Sequence, residues 1–321
     1  MTEKVAIILA AGKSTRMKTN LPKVLHEVCG RPMLEYVFDS CRNAGASKIY
    51  VIVGYGKDQI ISRYSSQKDL VFIEQKEQKG TGHAVLCCKE YLKDFTGETL
   101  VLCGDGPMIC GETLKTIADK HESEKSVMTL GTAILDNPFG YGRIARDLYG
   151  NIQGIVEHND CNEKQLQIKE INPSLYCFNN KILFEMLGQL KPNNAKNEYY
   201  ITDVLHLIIA AGLKVIAVTA VSAEEAIGVN SRLQLSQVSK IMQTRIQEKL
   251  MDSGVTIVDP PNTWIDARAE IGQDTVIEPF TCIFGSVKIG DNCKIGPFAY
   301  IHDGIEIPNK TFSGVFKEYK K

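Results

Sequence analysis

Chemistry is most concentrated in the run Leu9-Ala10-Ala11-Gly12-Lys13-Ser14-Thr15-Arg16-Met17, followed at once by Leu21-Pro22-Lys23. Small residues and a glycine let backbone amides approach a ligand closely. Lys13, Arg16, Lys18 and Lys23 add positive charge, and no acid lies between Glu3 and Glu27. Exposed amides flanked by uncompensated cations form a phosphate-binding turn. Two other phosphate-binding patterns fail on spacing. A Walker loop needs a glycine five residues before Gly12, and that position is Ile7. The dinucleotide pattern needs spaced glycines that are absent. Taken alone, the run also fits a solvated strand-to-helix turn.

A second candidate is Leu102-Cys103-Gly104-Asp105-Gly106-Pro107. An apolar strand ends there in a carboxylate with glycines on both sides. A lone Asp after a strand often caps a helix or forms a turn. Beside a phosphate loop it reads as a magnesium ligand, because magnesium takes few protein oxygens and keeps its other positions for water and phosphate. A third candidate is the polar run from Gln75 to His83, whose Gln75 offers both donor and acceptor to a base edge. Further on come Gly140-Tyr141-Gly142-Arg143, Glu157-His158, Asn172, Glu198-Tyr199-Tyr200-Ile201-Thr202-Asp203 and Val229-Asn230. Each sets polar groups beside glycines or aromatics, as sugar recognition requires; singly, each reads as a turn or cap.

Alternating elements must position these groups. Apolar runs at 5–9, 48–53, 100–103 and 127–133 read as strands; 33–44, 84–92 and 113–121 have helical spacing. This β-α-β rhythm predicts an α/β domain with a parallel sheet wound on both faces. Ligands in such sheets sit at the carboxyl ends of the strands, where the Gly12 loop lies. Over 231–253, Leu235, Val238, Met242, Ile246 and Leu250 predict a connecting helix, capped by Ser231 and stopped by Gly254. The period then changes: Ile265, Ile271, Ile277, Ile283, Ile289, Ile295, Ile301 and Ile307 recur every six residues. Such a repeat predicts a parallel β-helix with one flat face per hexad. So short a stack has little core of its own, which predicts support from the helix or from neighbouring subunits, as a trimer.

Bulk composition sets limits. The 321 residues carry 37 basic and 38 acidic side chains, so no global field favours nucleic acid or a membrane surface. No apolar stretch approaches a membrane span. The start of the chain enters a strand at once, without a signal-peptide pattern. Ten cysteines include no Cys-x-x-Cys, which predicts free thiols in a reducing, cytoplasmic compartment and no zinc site. The six histidines are scattered and read as mostly structural or surface groups.

In order and spacing, these motifs resemble the bacterial N-acetylglucosamine-1-phosphate uridylyltransferases, within the sugar-phosphate nucleotidyltransferases, over nearly the whole chain. The resemblance implies a Rossmann-like, mostly parallel nucleotidyltransferase domain at 1–230, a connecting helix at 231–254 and a left-handed β-helix at 255–321. It implies that Leu9, Ala10, Ala11, Gly12, Gln75, Gly80 and Thr81 bind the nucleotide. Lys13, Arg16 and Lys23 would face the phosphates. Asp105 and Asn230 would hold Mg2+. Gly140, Glu157, Asn172, Tyr200 and Thr202 would hold the sugar. The implied reaction joins UTP to N-acetylglucosamine 1-phosphate, giving the UDP-sugar used as a cell-wall precursor, with pyrophosphate as the leaving product. The implied assembly is a homotrimer.

The sequence departs from that pattern in three places. Cys103 replaces a frequent tyrosine, and Pro173-Ser174 replaces Thr-Gly after Asn172. Both changes fall near the expected sugar site and leave glucose 1-phosphate or another hexosamine phosphate as alternatives. Base choice among UTP, dTTP and CTP rests on loop geometry, and a non-catalytic sugar-nucleotide sensor is the reading from a different class. The hexads are expected to stop near Phe312, with a charged non-repeat tail and no acetyltransferase activity.

Overall fold

The computed structural model describes residues 2–192 and 197–320. The chain divides into two compact units. The first comprises 1–25 and 33–230; the second comprises 26–32 and 231–321. Residues 26–32, expected within the first domain, therefore cluster with the second unit. They form a small hairpin, Glu27–Val28 against Arg31–Pro32. Cys29 O accepts from Ala267 N at 2.9 Å, tying the hairpin to the second unit. At its turn Gly30 has φ +86°, and a side chain there would collide with Asp266.

The first unit is built on one sheet. Its main path runs Val215–Val218, Met128–Ile134, Glu170–Asn179, Glu98–Cys103, Lys4–Ala10, Ala46–Val53, Leu70–Glu74. Pairing is parallel throughout except around Glu170–Asn179, which is antiparallel to both neighbours. The sheet is thus mostly parallel, as expected, with one reversed strand that the β-α-β rhythm did not locate. It also gains a hairpin, Gly142–Arg146 with Ile152–Val156, attached to that strand.

Alternation along Lys4–Ala10 builds both layers. Ala6 and Ile8 pack with Leu34, Phe38, Leu114 and Ile117, from helices Met33–Asn43 and Gly111–Glu124. Val5 and Ile7 face the other way, onto Val85, Leu183, Val204 and Leu205. The single helix expected over 84–92 is two, Thr81–Leu86 and Lys89–Leu92.

Two buried ionisable groups in this unit oppose each other in pH dependence. Glu98 is 5 % exposed, opposite Lys4 in the sheet register, and its Oε2 has no hydrogen-bond partner among the described residues. Burial pushes its carboxyl up to about 7. His121 lies buried, with Nδ1 2.9 Å from Thr129 Oγ1, and burial pulls it down to about 4. The raised Glu98 stabilises the fold at low pH and loses that contribution as pH rises toward 7. The depressed His121 does the reverse, losing its contribution as pH falls from 6.5 toward 4.

The second unit is a parallel β-helix with three faces: Thr256–Ile257, Val276–Ile277 and Lys294–Ile295; Trp264–Ile265, Cys282–Ile283, Tyr300–Ile301 and Glu318–Tyr319; and Glu270–Ile271, Lys288–Ile289 and Glu306–Ile307. This is the left-handed β-helix of the hexad pattern. Ile265 pairs with Ile283, Ile283 with Ile301, and Ile301 with Tyr319, so one coil takes eighteen residues. Ile265, Ile277, Ile283, Ile295 and Ile301 are fully buried. Each such burial contributes roughly 1.5–3 kcal/mol, and β-branching suits the strand.

Two corrections follow at the ends of the repeat. The expected non-repeat tail continues it: Tyr319 takes the isoleucine position, and Phe312 bridges to Lys294. An earlier rung, Ile257, was hidden because two extra residues are taken up in the 3-10 turn Pro260–Asn262.

Helix Arg232–Asp252 begins at Ser231, whose side chain accepts from Gln234 N. Its inner side carries two buried glutamines beside the expected apolar residues. Gln243 accepts from Ile265 N at 3.0 Å and donates to Ile265 O. Gln247 donates to Thr263 O at 2.8 Å and to Pro260 O at 3.1 Å. These amides close the free edge of the first coil, an edge that otherwise invites strand addition.

Gln243→Ala leaves the buried Ile265 N–H and C=O without partners. It is expected to destabilise the second unit by about 2–4 kcal/mol. The fluorescence of Trp264, the single tryptophan, reports the shifted urea midpoint. In the first unit, Glu98→Gln is expected to be roughly 2–3 kcal/mol more stable than the parent at pH 8. Its stability should then rise between pH 4.5 and 6.5 more steeply than the parent's, measured by urea unfolding across that range.

Candidate active site

Strands Lys4–Ala10 and Glu98–Cys103 lie side by side in parallel, with Leu9 opposite Cys103. The Gly12 turn and Asp105 therefore leave the sheet at the same carboxyl edge. Backbone bonds fix this juxtaposition. Gly104 N donates to Leu9 O at 3.0 Å, and Val229 N donates to Asp105 O at 2.9 Å, which brings Asn230 alongside. Tyr55 N and Gln78 Nε2 both donate to Ala11 O, at 3.1 and 2.7 Å, and pin the start of the turn. Lys23 opens a 3-10 turn, Lys23–Leu25, held by Leu25 N on Pro22 O.

Electrostatics centre on Lys23. Its ammonium pairs with Asp105 Oδ2 and lies 3.1 Å from Asn230 Oδ1. Arg16 Nη2 donates to the same Asn230 oxygen at 2.9 Å. The Lys23 and Asp105 side chains are only 15 and 19 % exposed, so their charges are screened less than a surface pair's. Lys13 Nζ sits 5.5 Å from the centre of the Tyr55 ring, a cation–π contact that parks it at the rim. Burial, reinforced by the Asp105 charge, pushes the Cys103 thiol up to about 12. The thiol is therefore neutral, which makes Cys103 a wall and not a nucleophile.

A cleft of about 410 Å³ gathers Leu9, Ala10, Ala11, Gly12, Gln75, Gly80 and Thr81 with Lys13, Arg16, Lys23, Asp105 and Asn230. Gln78 and Glu198, which lie in runs singled out in the sequence but received no role of their own, also line it. Gln78 lies in the same polar run as Gln75, but nothing in the spacing separates its role from that of its neighbours. His83, counted among scattered histidines, lies 3.0 Å from Gln75 Nε2.

The five expected sugar residues do not line this cleft. Asn172 is buried, donating to Tyr176 Oη at 2.8 Å and accepting from Ser174 N at 3.1 Å. Glu157 approaches Gly142 and acts electrostatically on Tyr200. Thr202 is buried at the start of helix Asp203–Ala210, and Gly140 has open space around it. Beside the cleft lies a small recess of about 50 Å³ bounded by Cys103, Asp105, Pro173, Ser174 and Glu225. The strand register shifts between Ile171 and Leu175, and Ser174 sits there at φ +62°, in the left-handed region that favours glycine.

Oxygen donors decide what cation the cleft can hold. Among the described residues no group of three or more His, Cys, Asp or Glu side chains is arranged for a metal. Asp105 and Asn230 instead offer hard oxygens converging on one cationic position, which the Lys23 ammonium takes. Two such oxygens fit magnesium, which keeps its remaining positions for water and phosphate. All ten cysteines are free thiols.

The nucleotidyl transferase family model matches residues 5–266, and a model of six bacterial transferase hexapeptide repeats matches 268–303. The chain belongs to the nucleotidyl transferase family. Within it, the chain is 47 % identical over 281 residues to the bifunctional protein GlmU of Geobacillus sp. (strain WCH70), covering 88 % of this chain and 61 % of that protein. It is 46 % identical over 276 residues to the bifunctional protein GlmU of Clostridium acetobutylicum, covering 86 and 60 %. The chain thus spans about three fifths of the length of these relatives. A UDP-glucose pyrophosphorylase solved with UDP-glucose shares the fold, with TM-score 0.61 and 19 % identity over 76 % of this chain and all of that one. No described helix is long and apolar enough to cross a membrane.

Proposed function

We propose that the first unit transfers UMP from UTP to N-acetylglucosamine 1-phosphate, releasing pyrophosphate. One observation carries this reading: Lys23 and Arg16 meet Asp105 and Asn230 beside a small-residue turn at the carboxyl edge of the sheet. The likeness to the two GlmU proteins supports it.

The chemistry asks little of general bases. A sugar 1-phosphate has its second pKa at about 6, so its oxygen is already anionic near neutral pH. It attacks the α-phosphorus in line, and pyrophosphate leaves opposite. What the protein must do is hold two polyanions together and steady the charge that develops. In this reading the Gly12 turn receives the nucleotide and Gln75, Gly80 and Thr81 its base. Lys23 trades part of its pairing with Asp105 for the α-phosphate. Arg16 and Lys13, on the same turn, balance the departing pyrophosphate. Asp105 and Asn230 would hold magnesium, which neutralises phosphate charge when bound.

Cys103 and Ser174 favour a second reading of the sugar alone. Both border the recess beside Asp105, so glucose 1-phosphate or another hexosamine phosphate is the alternative acceptor. A sensor without turnover need not keep a pair of oxygens suited to a metal beside the phosphate-binding cations. The free thiols support a cytoplasmic setting.

The second unit, in our reading, assembles as a homotrimer. Phe280, Phe298 and Phe316 stack at successive corners, 4.9 and 4.8 Å apart, and stay 49, 43 and 75 % exposed. An exposed aromatic ladder of this kind marks an interaction surface.

Pyrophosphate release with UTP, magnesium and a panel of sugar 1-phosphates tests the reaction. Lys23→Ala is expected to lower kcat by roughly 10²-fold or more; near-parental turnover removes the assignment. Sedimentation at micromolar concentration should give three times the chain mass, and a strict monomer ends the trimer reading.

A further inference from the structure

The way Gln75 is held gives His83 a role. Gln75 follows strand Leu70–Glu74, its own N–H donating to Val53 O at 2.8 Å. It is 5 % exposed and borders the cleft. Its side-chain Nε2 has two hydrogens. One is directed to Gly80 O at 3.0 Å and the other to His83 Nδ1 at 3.0 Å. With both hydrogens engaged, Oε1 is the atom left to meet a ligand, and it has no partner among the described residues.

His83 can accept at Nδ1 only while the ring is neutral with its proton on Nε2. Lys79 and Glu77 face it from the preceding loop, and Tyr199 stands 6.5 Å away, ring to ring. Cys87 Sγ donates to the His83 carbonyl from the next helical turn. Burial and the Lys79 charge keep the imidazole below its usual pKa, so the accepting form persists at neutral pH. A proton on Nδ1 would face the Gln75 N–H donor to donor. The amide must then turn over, giving up the Gly80 bond and presenting –NH2 to the cleft.

We propose that His83 is a positioning residue that holds the Gln75 amide with its oxygen toward the base, so that the cleft accepts a ring N–H and discriminates against a base with a ring acceptor there. Uracil has that N–H; cytosine has an acceptor in its place. The proposal rests on the uridylyl-transfer reading of the same cleft. His83 touches no reacting atom, so its loss should affect nucleotide affinity and base choice while sparing the chemical step.

The test compares the parent protein with His83→Leu and His83→Asn, the second keeping an acceptor near the Nδ1 position. His83→Leu is expected to raise the KM for UTP about tenfold, the loss of one hydrogen bond's worth of orientation, with kcat at saturating UTP within about twofold. Its preference for UTP over CTP should fall by about the same factor, and His83→Asn should restore both. Between pH 7 and 5, the parent's KM for UTP should climb relative to that of His83→Asn; the titration of UTP itself cancels in the ratio. Parental KM and base preference in His83→Leu would overturn the proposal, as would a pH-independent ratio. Equilibrium dialysis with UTP separates the two levels. A parent protein that binds no UTP sinks the uridylyl-transfer reading and this proposal with it. A parent that binds UTP, beside a His83→Leu variant that binds it equally well, sinks the role of His83 alone.

Discussion

The ammonium of Lys23, shared between the Asp105 carboxylate and the Asn230 amide oxygen, is the contact around which the first unit is organised. Lys13, Arg16 and Lys23 gathered at one strand edge would repel each other with no ligand between them. Asp105 offsets that repulsion, and it does so in a half-buried place where a charge pair is worth more than in water. The arrangement is also poised for exchange. A pair that is partly desolvated yet bordered by a cleft can trade one anionic partner for another at little net cost, because the charge count inside stays balanced. The backbone supplies the rigidity this requires. Leu9 and Asp105 carbonyls each receive an amide from a different segment, so three distant stretches of sequence meet at one point.

That meeting point is partly legible in the amino-acid sequence. The Gly12 turn announced itself because an acid-free run of cations after a buried strand has few other uses. Asp105 followed because an apolar strand delivered it between two glycines. Asn230 came only from the family resemblance: its neighbour Val229 reaches Asp105 through a backbone bond spanning more than a hundred residues, and no local pattern encodes that. The reversed strand Glu170–Asn179 was missed for a related reason. Its first half is polar and broken by Pro173, so it resembles a loop. Only pairing with Met128–Ile134 on one side and Glu98–Cys103 on the other makes it a strand.

The second unit shows the opposite balance. A six-residue isoleucine period is visible to simple counting, and the stack obeys it. The period is hidden where geometry and not residue type keeps it. Tyr319 holds an isoleucine place because strand pairing with Ile301 needs a non-polar face more than a particular side chain. Gln243 and Gln247 escaped notice because helical periodicity marks apolar residues as inward and amides as outward. Here the inward side meets backbone groups at the edge of a coil, and an amide matches both the N–H and the C=O of Ile265. An apolar side chain at 243 would bury those groups without partners, and one at 247 would do the same to the Thr263 and Pro260 carbonyls.

Ser174 stands where the proposed reaction would set its sugar specificity. A register shift in the Glu170–Asn179 strand demands a residue with positive φ, and serine meets it only at some conformational cost. Retaining a side chain at a position that favours glycine places a hydroxyl group next to the Cys103 thiol, on the wall of the recess beside Asp105. The thiol is held neutral, so the pair contributes shape and weak hydrogen bonding and no charge. An acceptor of the proposed reaction that extended into that recess would meet a smaller, less polar wall than a tyrosine hydroxyl would present. The cationic centre, by contrast, would read phosphate in the proposed reaction. Under the proposed uridylyl transfer, recognition in the first unit would be divided: the charge cluster would bring two phosphates together, and the neutral wall at 103 and 174 would bear on which sugar accompanies one of them.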